Sequence, residues 1–157
     1  MKNQELFHKT VGILVKAYQQ ETLIHGLCHA CAVGNLIAAN CGVKPNTNKE
    51  ISRDPVWISN SSDFIRPSWT DKLSWGIIHD RSNKKAIEEI LSTGYSINEV
   101  AMIERAFENV NSGKSSGFDN DGFQGLMSVV DALMLIHKAN ESEVLEAKSL
   151  FVKELAV

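Results

Sequence analysis

Hydrophobic positions along this chain recur mostly at intervals of three and four residues, the period of a helix with one buried face. Leu6, Phe7, Val11, Leu14, Ala17 and Tyr18 form the first such stripe, with Lys9, Lys16 and Gln19 off it. They predict an amphipathic helix over about residues 3–20. A second helix is expected from about Cys28 or His29 to Asn40, closed by Gly42 and followed by Pro45. Apart from His29 and Asn35 it holds only apolar or small residues, the pattern of a central, buried helix.

The same period returns in the second half. Residues 83–92 carry Ala86, Ile87, Ile90 and Leu91 on one side, and Gly94 ends them. Ser96-Ile97-Asn98-Glu99 reads as a capping box, in which the Ser and Glu side chains satisfy two N–H groups reciprocally. The helix it opens is expected to bury Val100, Ile103, Phe107 and Val110. A Gly/Ser/Asp stretch over about 111–121 reads as a flexible linker, and Asp119 or Asp121 can cap the next helix. That helix carries Phe123, Leu126, Met127, Val130, Leu133, Met134 and His137. Asn140 to Glu143 offers another capping box before a last helix with Val144, Ala147, Phe151 and Leu155.

Residues 43–80 break the pattern. They hold all three Pro and all three Trp amid Ser, Asn and Asp, and Val56-Trp57-Ile58 and Leu73 to Ile78 have the composition of short strands. The expected fold is therefore mainly α. It is a single domain over 1–157, a bundle of about six helices with a small irregular or β insert at about 43–80 packed over one end.

Composition narrows the function classes. The chain has 157 residues and a net charge of −3, which argues against bulk nucleic-acid binding through positive charge. Residues 1–80 hold eight basic and seven acidic residues, and residues 81–157 hold eight and twelve. The net acidity thus belongs to the later helices, where solvated faces account for it. The longest apolar run, Ala30 to Ala39, is interrupted by Gly34 and Asn35 and is too short to span a bilayer. No basic segment leads into an apolar one at the N-terminus, so no signal peptide is visible. Three clustered cysteines, Cys28, Cys31 and Cys41, do not make a disulfide framework. A cytoplasmic protein with reduced thiols and no membrane partner is expected.

The segment His25-Gly26-Leu27-Cys28-His29-Ala30-Cys31-Ala32-Val33-Gly34-Asn35 concentrates the reactive side chains, and three readings compete for it. In the first, Cys28 and Cys31 bind Zn²⁺ as a C-x-x-C pair with His25 or His29 completing the site. Cys41 lies about 15 Å from Cys31 if one straight helix holds both, and so cannot join them. In the second, Cys28 is a nucleophile activated at a helix N-terminus, with His79 as base and Asp80 or Asp71 orienting it. In the third, the thiols and small residues only let neighbouring helices approach closely, and His29 and Asn35 are satisfied polar groups. Against the third reading, Cys28, Cys31 and Asn35 would share one helix face, a polar stripe that suggests a pocket.

Trp57, Trp69 and Trp75, with Arg53, Arg66 and Arg81 nearby, have the composition of a cleft that stacks a planar ligand and reaches its phosphate. They serve equally well to anchor an irregular loop. Asp119-Asn120-Asp121-Gly122 is not a calcium loop, because Phe123 and Val130 stand where ligands are needed. His8 and His137 lie on or beside apolar faces and read as packing or surface residues.

Gly26-x-Cys28-x-Ala30 resembles the segment around the nucleophile of papain-like cysteine peptidases, with His29 in place of that family's Trp and no β-rich half after it. The resemblance implies Cys28 as nucleophile. The longer His-Gly-x-Cys-His-Ala-Cys-Ala-Val-Gly-Asn run resembles that of small uncharacterised proteins of bacterial and phage genomes, which implies a mobile-element accessory factor. The leading expectation is a small soluble non-enzymatic binding protein. Its Cys/His pocket, between the Cys28–Asn35 helix and the Trp-rich insert, would take Zn²⁺ or a small planar, nucleotide-like ligand. Asn35, Trp57, Arg66, Trp69 and Trp75 would contact the ligand, and Cys28, Cys31, His25 and His29 the metal. The alternatives are a thiol-dependent hydrolase or transferase using Cys28 and His79, and a helical adaptor acting through protein contacts.

Overall fold

The computed structural model describes residues 3–24, 31–42, 45, 88, 90–109 and 121–153. Among them are five helices and no strand: α1 (Gln4–Gln19), α2 (Ala32–Cys41), α3 (Ile97–Asn109), α4 (Phe123–His137) and α5 (Glu141–Ser149). Glu88, Ile90 and Leu91 are also helical, where the 83–92 helix is expected. The insert at 43–80, apart from Pro45, and the linker at 111–120 lie outside the described residues.

Most helix ends follow from local chemistry. Asn3 caps α1, its side chain accepting the Leu6 N–H at 2.8 Å. Gly42, at φ 73°, closes α2 in the left-handed region that glycine adopts without a Cβ penalty. The capping box of α3 forms in full: Ser96 N–H donates to Glu99 Oε1 at 2.8 Å, and Glu99 N–H donates to Ser96 Oγ at 3.1 Å. Asp121 Oδ1 accepts the Phe123 N–H at 3.1 Å where α4 opens. At α5, Asn140 accepts the Glu143 N–H at 2.8 Å, while the Glu143 carboxylate takes a hydrogen bond from Gln4 on α1. Glu143 thus ties α5 to α1.

One core joins all five helices. Phe7, Val11 and Leu14 of α1 meet Leu36 and Ile37 of α2, Ile103 and Phe107 of α3, Leu126, Val130 and Leu133 of α4, and Val144 of α5, all buried. The α3–α4 pair packs most extensively. It does so because α4 turns Gly125 toward Phe107: a methyl group there would lie 2.7 Å from the Phe107 ring and 2.9 Å from its carbonyl oxygen.

Three expectations need correction. The second helix begins at Ala32, not at Cys28 or His29, because Cys31 is its cap with extended backbone at φ −76° and ψ −177°. The last helix stops at Ser149 instead of running through Phe151. Beyond its end, Phe151 turns its ring onto Tyr18, with centroids 6.2 Å apart. A tertiary contact therefore outweighs the continued helical period. Leu91 does not share the buried side of Ile90 but is half exposed, since neighbouring helix residues point about 100° apart.

Candidate functional site

Of the thiols, imidazoles and other side chains that the sequence weighed for the Cys/His site, Cys31, Cys41, Asn35, His8 and His137 fall among the described residues. His25, Cys28, His29, Trp57, Arg66, Trp69, Trp75 and His79 lie outside them, as do Arg53, Asp71, Asp80 and Arg81.

Cys31 and Asn35 meet where α1 gives way to α2. As the cap of α2, Cys31 accepts the Gly34 N–H on Sγ at 3.4 Å, and its thiol is buried. The thiol at the positive end of this helix is consequently Cys31, a position the sequence assigned to Cys28. With Cys31 extended, only Asn35 of the expected Cys28, Cys31 and Asn35 stripe belongs to α2; Cys28 lies outside the described residues. Cys41 ends α2 on the surface, with Sγ 3.8 Å from Ser92 Oγ. The ten residues from the cap to Cys41 keep the two thiols at opposite ends of the helix, as expected.

Asn35 uses both ends of its amide. Its Oδ1 accepts the Thr22 hydroxyl at 2.7 Å, and its Nδ2 donates to the Thr22 carbonyl at 2.8 Å and to the Cys31 carbonyl at 3.1 Å. A buried amide paired on donor and acceptor sides holds its neighbours in one geometry. Here it joins the exit from α1 to the entry into α2. It thereby anchors, on both sides, the chain that carries His25, Cys28 and His29.

A second polar cluster lies inside the bundle. Thr10 Oγ1 is 2.7 Å from the Tyr95 hydroxyl, which is 2.7 Å from His137 Nε2, and His137 Nδ1 is 3.0 Å from the Asn3 carbonyl. The Asn3 carbonyl can only accept, so Nδ1 carries a proton. In the neutral imidazole Nε2 then accepts from Tyr95, and Tyr95 accepts from Thr10. One directed chain of hydrogen bonds thus links α1, the turn before α3 and the end of α4. Burial foremost pushes the Tyr95 hydroxyl up to about 12; the Thr10 bond lowers it, and the charge of Glu99 raises it again. Tyr95 therefore keeps its hydroxyl proton at all ordinary pH. Of the packing and surface roles that the sequence left open for His137, its burial gives the first, whereas Tyr95 drew no notice in the sequence. Its signal was its place before Ser96, since an apolar residue there commonly packs against the fourth helical residue, and both Tyr95 and Val100 are buried.

Near the surface, Lys153 reaches Asp121 Oδ2 at 3.3 Å and Glu21 Oε1 at 3.4 Å, with its ammonium 4.9 Å from the centre of the Tyr18 ring. The Tyr18 hydroxyl also donates to Asp121 Oδ2, at 3.2 Å. Burial works against an ionised Asp121, but the Phe123 N–H, the Lys153 ammonium and the Tyr18 hydroxyl together hold its carboxyl below the usual range. This cluster ties the chain after α5 to the ends of α1 and α4.

Glu104 on α3 behaves oppositely. Partial burial, followed by the charge of Glu108 one turn on, pushes its carboxyl up to about 7, with Arg105 offsetting little. The unfolded chain releases this proton near the ordinary carboxylate value, and the folded chain keeps it until about 7. The resulting cost to stability is absent at low pH, accrues between those two values and is complete above them. Glu104→Gln is expected to stabilise the protein by about 1–2 kcal/mol at about pH 8, allowing for solvent screening of a half-buried group, and by nothing measurable at about pH 4. Urea denaturation at both pH values checks this, and an equal effect at both would refute it.

Among the described residues, no group of three or more His, Cys, Asp or Glu is placed to hold a metal ion, and no helix is long and apolar enough to cross a membrane. Comparisons with protein-family models, with curated proteins and with solved structures return no match to this chain.

Proposed function

We propose that the protein is a small binding protein whose helices form a fixed platform, with recognition carried by the His25–Asn35 run and the Trp-containing segment. The observation that supports this reading is the Thr22–Asn35–Cys31 clamp, which restrains both flanks of the Cys/His run. A segment held at both ends gives up less conformational freedom when it binds, and so binds more tightly for the same contacts. Its side chains define two ligand classes. His25, Cys28, His29 and Cys31 have the donors of a zinc site. Trp57, Trp69 and Trp75 supply stacking surfaces and Arg66 a phosphate contact for a planar, nucleotide-like molecule. A role as an accessory factor of a phage or other mobile element fits a protein that works by binding.

Native mass spectrometry of the protein, purified directly from cells without chelators, tests this reading. The expected result is a mass above that of the 17.4 kDa chain by a zinc ion or by one small molecule. A bare mass, together with no thermal shift across a panel of zinc and nucleotides, would overturn it, because a ligand that binds only the folded state must raise its melting temperature. A protein retained instead of a small ligand would favour the adaptor reading.

A further inference from the structure

We draw no further inference here: the strongest candidate, the exposed apolar pair Leu135 and Leu145 beside the Asp131–Lys148 ion pair on the α4–α5 hairpin, carries nothing because nothing in the structure shows what covers it.

Discussion

Gly125→Ala is expected to destabilise the protein by about 2 kcal/mol, although alanine is the better helix former. Two effects oppose each other at this position. Alanine in a helix interior gains up to about 1 kcal/mol over glycine. Against that, the added methyl would sit 2.7 Å from the Phe107 ring and 2.9 Å from the Phe107 carbonyl oxygen. The ring can turn only against a packed core, since Phe107 is fully buried, and the carbonyl belongs to the backbone of α3. The clash therefore separates α3 from α4, the most extensively packed pair in the bundle. Gly12 on α1 provides the control, because a methyl there meets no atom within 4 Å. Gly12→Ala is expected to stabilise by about 0.5–1 kcal/mol. Urea denaturation of both variants reads the two signs. A neutral or stabilising Gly125→Ala would mean that α3 and α4 do not approach as described.

The second large effect is expected at Tyr95. Tyr95→Phe keeps the ring and removes the hydroxyl that Thr10 and His137 share. The buried Thr10 hydroxyl and His137 Nε2 each then lose this hydrogen bond, and the expected cost is about 2–3 kcal/mol. Thr10→Val alone leaves Tyr95 donating to His137, and should cost about 1 kcal/mol. The double variant should cost less than the sum of the two, since a lost pair is cheaper than two separately stranded groups. A double-mutant cycle measured by equilibrium denaturation checks the coupling. Strict additivity would show that the hydroxyls do not form one chain.

Much of the helical framework was legible in the sequence because helices are local. The Ser96–Glu99 box and the Gly42 stop each depend on residues within one turn of one another, and each forms as expected. The stripe from Leu6 to Tyr18 predicts α1 to within a residue at either end. Such features rest on the 3.6-residue period and on pairing the unsatisfied N–H and C=O groups at helix ends. The start of α2 was harder to place. A run of Ala, Cys and Gly is apolar on every side, so it carries no stripe to mark the first turn.

The candidate site divides in the same way. Sequence alone drew attention to Cys31 and Asn35, by residue type and by their place in an apolar run. It could not say that Asn35 spends its amide on Thr22, because that pairing depends on how the chain returns after α1. Nor could it show that Tyr95 and His137, 42 residues apart, are hydrogen-bonded within the core. Periodicity reports which face of a helix avoids water, but is silent on which buried polar group meets which. The sequence by itself determined an α-helical chain, most of its caps, and a Cys/His run as the place to seek function. Only the tertiary structure decided that Cys31 caps α2, that Phe151 leaves the helical path to reach Tyr18, and that Gly125 lets α3 and α4 touch. Each of these turns on a contact that the local pattern does not encode, where packing and hydrogen-bond satisfaction outweigh local preference.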